Sequence, residues 1–265
     1  FLWYPTILPH AELIVPEDSI IKKFRGKFPE VAFKGTEPGN PLFRKGGYCT
    51  QLYPHATFAA MVTRLDVYVG QIVEKLKEKG LYENTIIIFA SDNGPHLEGG
   101  ADPDFFNSNG IYRGYKRDLY EGGIRVPMII VWPDNVKPGT ETDFMCAFWD
   151  MLPTFRQIVD PKAKIDANDD GVSLLPLLTG RKGQKEHDYL YFEFQELDGR
   201  QAVRKGQWKL LHMGVRSKNP RYELYNLAAD PSERYNVIKE YPDIAEELKA
   251  IMSSSRIDNP DFPLF

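Results

Sequence analysis

Apolar and polar positions follow two rhythms along the chain. Before about residue 180 the apolar residues fall in unbroken runs and helical stripes; after it they alternate with polar residues over short stretches. Residues 1–8 are a continuous apolar run, which predicts a strand covered on both faces and ended by Pro9-His10. Pro16-Glu17-Asp18 opens a short helix reaching about Arg25, with acidic residues at its positive end. Residues 29–48 are rich in Gly and Pro and read as loop. Phe58, Val62, Leu65, Val69, Ile72 and Leu76 recur at spacings of three and four, which predicts a helix over residues 54–79 with one apolar stripe. Lys75, Lys77, Glu78 and Lys79 make its solvated end, and Gly80 is suited to the position after its C-cap. Residues 85–90 and 126–132 are apolar, β-branched and expected to be buried strands, and residues 149–159 a further helix with Pro153 near its first turn.

A long helix leading into a wholly apolar strand predicts a parallel sheet covered on both faces. After Gly180-Arg181-Lys182-Gly183, residues 189–194, 201–204, 208–212 and 223–226 alternate and are separated by turn residues, which predicts an antiparallel meander. A last amphipathic helix is expected over residues 242–252. The expected fold class is therefore α/β, a mostly parallel sheet flanked by helices over residues 1–180. A small antiparallel sheet-and-helix C-terminal subdomain follows over residues 181–265. A buried strand as the first element also leads to the expectation of an upstream portion of the protein.

Composition narrows the function classes. Lysine and arginine number 33 against 37 aspartates and glutamates, a net charge of −4, so the basic excess of a nucleic-acid binder is missing. With 42% apolar residues and so small a net charge, general disorder is excluded. No apolar run approaches the roughly 18–20 residues of a membrane span. Cys49 and Cys146 lack metal-ligand spacing and read as two separated thiols, with pairing left open.

Ligands of an open α/β sheet bind outside the carboxyl ends of its strands. Three such ends carry polar residues. Ser91-Asp92-Asn93-Gly94-Pro95-His96 follows the second predicted strand. Asp92 and Asn93 offer adjacent hard oxygen donors suited to Ca²⁺ or Mg²⁺, although Asp-Asn-Gly-Pro is also the composition of an ordinary turn. His10 ends the first run, and histidine is the residue type able to donate a proton or bind an anion near neutral pH; a structural histidine is the competing reading. His96 shares the loop of Asp92, while His55, His187 and His212 read as structural. The third end is approached by Tyr112-Arg113-Gly114-Tyr115-Lys116-Arg117-Asp118-Leu119-Tyr120-Glu121-Gly122-Gly123-Ile124-Arg125-Val126-Pro127. There Lys116 is a compact charge for an anionic oxygen or a solvated surface lysine, and Arg125 reads as a structural ion-pair partner.

The order strand-Pro-His, long helix, strand-Ser-Asp-Asn-Gly, then Gly-x-Lys-x-x-x-Tyr-Glu-Gly-Gly-x-Arg-x-Pro resembles the C-terminal half of the type I sulfatases, in the alkaline phosphatase superfamily. The likeness resumes at Arg204-Lys205-Gly206-Gln207-Trp208-Lys209-Leu210, Glu223-Leu224-Tyr225-Asn226-Leu227 and Asp230-Pro231-Ser232-Glu233, so it covers nearly the whole chain. The resemblance implies hydrolysis of sulfate esters, often on sugars, by an exported enzyme of the periplasm or the cell exterior. It implies that Asp92 and Asn93 are two ligands of an active-site Ca²⁺, that Lys116 binds the substrate sulfate, and that His10 protonates the leaving alcohol. His96 lies where such enzymes touch substrate. His10, Asp92, Asn93 and Lys116 are then expected to converge at one edge of the sheet.

One departure matters. The family nucleophile is a formylglycine made from Cys or Ser in a Cys/Ser-x-Pro/Ala-x-Arg motif. Cys49 is followed by Thr50-Gln51-Leu52-Tyr53 and Cys146 by Ala147-Phe148-Trp149-Asp150, and neither fits. The nucleophile and two further acidic Ca²⁺ ligands are expected on a missing N-terminal half of the same protein. Weak or no Ca²⁺ binding is expected from this chain alone, since that ion takes six to eight oxygens. Two alternatives stand beside this reading. One is a phosphoester or phosphonate hydrolase of the same superfamily. The other is a non-catalytic carbohydrate-binding module, which the 14 Tyr, 16 Phe and 4 Trp would suit, although these fall mostly on apolar faces.

Overall fold

The computed structural model describes residues 1–37, 47–164 and 169–265; part of the expected 29–48 loop lies outside them. Helix α1, Ser19–Lys22, is capped by Asp18, whose Oδ1 accepts from Ile20 N–H at 2.9 Å. Asp18 Oδ2 also takes Arg64 Nη2 at 2.6 Å, which ties α1 to α2, Pro54–Glu78. The first turn of α2 is buried and its amide donors have no intrahelical partner; Glu30 accepts two of them, His55 N–H and Ala56 N–H, each at 2.9 Å. Gly80 follows the C-cap with φ +63°, as its position predicted. The buried face of α2 is confined to its first two turns, where Ala56 and Ala60 meet Ile21, and Met61 meets Leu13 and Ala101. Val62, expected on the stripe, is 44% exposed.

Strands β1, Ile87–Ala90, and β2, Met128–Val131, pair antiparallel in the register Ile87↔Val131 to Ala90↔Met128. The α/β class holds, but the expected mostly parallel sheet is not confirmed: among the described residues no parallel pair is present. The stretch between the strands is not a crossover, because it is loop and single helical turns, with no return to the starting end of the sheet. Ile88 and Ile129 are exposed and, by this register, lie on opposite faces, so neither face of the pair is fully covered. The expected strand at residues 1–8 is likewise not formed. Phe1, Leu2, Trp3, Tyr4 and Ile7 are exposed, and among the described residues no strand pairs with them to take up their backbone groups.

Helix α3, Glu121–Ile124, and helix α5, Leu175–Leu178, are single turns that the apolar pattern missed; α4, Met151–Val159, is the expected helix. The second part agrees closely with expectation. Strands β3 (Leu190–Phe194), β4 (Arg200–Lys205), β5 (Trp208–Met213) and β6 (Arg221–Asn226) form an antiparallel meander in that order. Alternation gives the sheet two working faces. Val203, Leu210 and Leu224 lie against Ala245, Leu248 and Met252 of α6, Pro242–Ser254. Ala202, Leu211, Met213 and Tyr225 point the other way and pack on Leu119 and Tyr120. The segment that carries Lys116 is therefore built onto the second face of the C-terminal sheet.

Candidate functional site

Three loops meet where the sequence placed its candidates. The Asp92 loop leaves β1, the Lys116 segment precedes β2, and the Pro9-His10 corner reaches both. Gly94 N–H donates to Gly123 O at 2.9 Å and Lys116 N–H to Pro95 O at 2.8 Å, so the first two loops share a backbone seam. The Gly-Gly pair after Glu121 is required by the fold of the Lys116 segment on itself: a Cβ on Gly123 would stand 2.2 Å from Asp118 O.

At the seam's end Lys116 Nζ lies 2.7 Å from His10 Nε2. The His10 ring is oriented by its own neighbour, since Nδ1 is 2.7 Å from Ala11 O. A carbonyl only accepts, so Nδ1 carries the proton and Nε2 is left to accept from the ammonium. His96 stacks on His10 with ring centroids 4.9 Å apart and planes at 23°. His96 Nε2 donates to Pro9 O at 3.1 Å, while its Nδ1 accepts from Glu98 N–H at 3.2 Å. Burial holds the His96 imidazole below its ordinary pKa, with His10 and Lys116 adding to that against the opposing Glu98. Both of its nitrogens are thus occupied by backbone, and His96 supports the His10 ring and the Pro9 corner instead of presenting an atom to the opening.

Asp92 is exposed and makes no hydrogen bond or ion pair with the described residues. Asn93 Nδ2 donates to Gly94 O at 2.8 Å, which leaves its Oδ1 unengaged. A free carboxylate and a free amide oxygen on adjacent residues are hard donors and fit a divalent cation such as Ca²⁺, as part of a coordination sphere. Among the described residues no cluster of three or more His, Cys, Asp or Glu could hold a metal, so the two oxygens form a corner and not a cage.

The remaining sequence candidates separate cleanly. His55 is buried, bonded through Nδ1 to Pro29 O at 2.6 Å and stacked 3.8 Å from Phe105. His187 Nε2 is 2.8 Å from Asp150 Oδ1, and His212 stacks on Tyr222 at 4.1 Å. Arg125 pairs with Glu121 at 3.7 Å, the structural role expected of it. Cys49 and Cys146 are free thiols; burial, with Glu12 nearby, pushes Cys49 up to about 11, and burial also raises Cys146. Neither is an activated nucleophile.

Sequence reasoning missed the charges that hold the Lys116 segment. Lys209 is fully buried between two buried glutamates, with Nζ 2.9 Å from Glu121 Oε1 and 3.0 Å from Glu233 Oε1. Glu233 Oε2 accepts Glu121 N–H at 2.6 Å, and Arg204 Nη1 reaches Glu121 Oε2 at 3.2 Å. Burial would raise the Glu121 carboxyl, but Lys209 and Arg204 outweigh it and hold it low; for Glu233 burial prevails and the carboxyl is raised. Arg113, on the near side, donates to Tyr225 Oη at 3.1 Å and to Glu233 O at 2.9 Å.

The sulfatase family matches residues 1–160, and the family described as N-sulphoglucosamine sulphohydrolase, C-terminal, matches residues 110–258. An N-acetylgalactosamine-6-O-sulfatase of Bacteroides thetaiotaomicron is 33% identical over 230 residues, covering 76% of this chain and 44% of that protein. The steryl-sulfatase of Rattus norvegicus is 37% identical over 139 residues, 52% of this chain and 24% of its own. Among solved structures, that of Ps i-CgsB in complex with k-i-k-neocarrahexaose superimposes with a TM-score of 0.71 at 26% identity, over 94% of this chain and 48% of that one. A phosphonate monoester hydrolase of Agrobacterium radiobacter shares the fold, with a TM-score of 0.57 at 21% identity. The chain spans less than half the length of these relatives. With the family match running through both the His10–Lys116 seam and the sheet that supports it, the chain belongs to the sulfatase family.

Proposed function

We propose that the complete protein hydrolyses sulfate esters of a carbohydrate, and that this chain supplies the sulfate-binding cation, the proton carrier and part of a Ca²⁺ site. The observation that carries the reading is the 2.7 Å contact of Lys116 Nζ with His10 Nε2, with Asp92 and Asn93 on the loop whose Gly94 and Pro95 hydrogen-bond to the Lys116 segment. A cation and a titratable nitrogen at one point suit a reaction in which charge grows on sulfate oxygens while an alcohol departs. A phosphonate monoester hydrolase is among the structural neighbours, but at 21% identity that likeness shows the fold alone. The sulfated amino sugar of the bacterial relative is the first substrate to test.

Lys116 takes the sulfate oxygens, giving up the hydrogen bond it makes to His10. That frees Nε2 to hold a proton, with Nδ1 already donating to Ala11 O. As the sulfuryl group passes to the nucleophile expected elsewhere in the complete protein, the electron pair of the breaking bond from sulfur to the bridging oxygen stays on that oxygen and the proton passes from Nε2 to it. Ca²⁺, held by Asp92 and Asn93 with ligands from elsewhere in the protein, would add positive charge against the sulfate oxygens and beside a formylglycine nucleophile. Neither Cys49 nor Cys146 replaces that nucleophile, since both thiols titrate above their ordinary range. Placement in the periplasm or outside the cell is part of the proposal and rests on the family resemblance.

The test is turnover of N-acetylgalactosamine-6-O-sulfate and of an aryl sulfate by the complete, formylglycine-bearing protein. Release of sulfate that is lost in Lys116→Ala and His10→Ala, with the fold retained, supports the proposal. Full turnover in both variants, or hydrolysis of phosphate esters alone, overturns it.

A further inference from the structure

Lys116 sits in a turn with an unusual backbone. Asp118 N–H donates to Tyr115 O at 2.8 Å, so Lys116 and Arg117 are its two central residues. Arg117 has φ +77°, in the left-handed region where a side chain with a Cβ is disfavoured and Gly or Asn is usual. A bulky residue stays in such a conformation only where its surroundings impose it.

The surroundings are visible. Asp118 Oδ2 accepts Tyr115 N–H at 3.0 Å, which closes the turn from within. From outside, the Arg117 guanidinium pairs with Glu98, beside His96. On the sheet side, Arg200 Nη1 donates to Arg117 O at 3.1 Å and pairs with Asp118 Oδ1. Arg200 opens β4, two positions from Ala202 and so on the same face of the sheet, the face on which Leu119 and Tyr120 pack. Its side chain is 14% exposed. Among the described residues it is the one side chain of the sheet that donates to the backbone of this turn. The buried Lys209, Glu121 and Glu233 lie beyond the turn and fix α3 instead.

We infer that Arg200 is a positioning residue for Lys116. By fixing the Arg117 carbonyl and the Asp118 carboxylate it holds the strained turn in the form that points Lys116 Nζ at His10 Nε2. The C-terminal sheet thereby takes part in setting the anion site, through a residue that touches no reacting atom. This rests on the sulfate-binding role proposed for Lys116. A small misplacement of a binding group is costly in rate, so a large kinetic effect is expected from a change that leaves the core intact.

The experiment compares Arg200→Ala, Arg200→Lys and Lys116→Ala in the complete protein. It measures kcat and KM on an aryl sulfate, the dissociation constant of inorganic sulfate, and Tm. A lysine ammonium can reach the same two oxygens, so Arg200→Lys is the rescue. The expected result is a fall of about tenfold or more in kcat and in sulfate affinity for Arg200→Ala, and recovery to within about threefold for Arg200→Lys. Retention of both quantities within about twofold in Arg200→Ala overturns the inference, as does failure of Arg200→Lys to recover them. Where Arg200→Ala does not fold, Asp118→Asn takes its place: it weakens the grip on Arg200, and sulfate affinity must fall with it, whereas unchanged affinity overturns the inference. Lys116→Ala separates the two levels. If it keeps sulfate affinity, the role of Lys116 falls and that of Arg200 with it. If it loses affinity and Arg200→Ala does not, the positioning role alone falls.

Discussion

Gly94 and Gly123 are joined by a 2.9 Å hydrogen bond at a place where no side chain fits: a Cβ on Gly94 would stand 1.8 Å from the Gly122 carbonyl oxygen. The Asp92 turn and the Lys116 segment can lie this close only because residue 94 is glycine. Gly94→Ala forces them apart. The expected cost is about 3 kcal/mol, the upper end of the range for overpacking, read as a fall in Tm of the complete protein. Sulfate affinity should fall in the same variant because the separation shifts Pro95 O, the acceptor of Lys116 N–H. An unchanged Tm would mean that the seam is slack.

His10 and Lys116 touch, yet their proposed tasks differ, and substrate choice separates them. A proton donor matters most when the departing oxygen is basic. His10→Ala should therefore lose about 10²–10⁴ in kcat on a sugar sulfate and much less on a 4-nitrophenyl sulfate, whose leaving group needs little protonation. Lys116→Ala should lose similar factors on both, because it acts on the sulfate oxygens that the two substrates share. Equal losses for His10→Ala on both substrates would remove it from the proton-transfer step.

Lys209 has no solvent to replace its partners. Its removal leaves Glu121 and Glu233 facing each other, both side chains buried and the former held charged. Lys209→Met should lower stability by about 3–5 kcal/mol, the cost of breaking a buried pair from one side. Adding Glu233→Gln should recover part of the loss, since Glu233 is the carboxyl whose burial already favours its protonated form. Urea denaturation of the single and double variants checks both statements, and additive losses would mean that the two groups do not interact.

How much of this was legible in the residues follows from range. The meander and α6 were legible because alternation and helical spacing are local and each strand is flanked by turn residues. The 54–79 helix was legible for the same reason, but the exposure of Val62 was not, because spacing defines a stripe without saying what covers it. Residues 1–8 failed in that way: an apolar run reads the same whether or not a strand lies beside it. The β1–β2 direction failed because apolar strands of either sense look alike. At the site, His10, Asp92, Asn93 and Lys116 could be picked out by chemistry next to strand ends, and the structure brings the His10 and Lys116 side chains into contact. The left-handed Arg117 could not, because no Gly or Asn marks it, and Arg200 stands 82 positions from the carboxylate it holds. Nothing in the local pattern marks Lys209 as buried, because its two glutamate partners come from distant segments, yet it is fully buried.

His96 gives a pH signature of the site's packing. Burial places its folded-state pKa below the ordinary value, so between the two values the unfolded chain binds a proton that the native state refuses. The stability contributed by neutral His96 is therefore complete above the unfolded value of about 6.5 and is lost as pH falls below it. The groups facing the ring set the balance: His10 and Lys116 oppose a second proton, while Glu98 Oε2, 3.1 Å from Nδ1, would accept one. His212, also held low by burial and by Lys249, works in the same window, so the comparison must be made between variants and not on the parent alone. His96→Gln removes one of the two titrations. On going from about pH 7.5 to about pH 5.5 the parent's Tm should fall further than that of His96→Gln. Parallel curves would show that Glu98 captures the incoming proton and cancels the burial cost, which would make the pair a neutral prop for the His10 ring at every pH in that range.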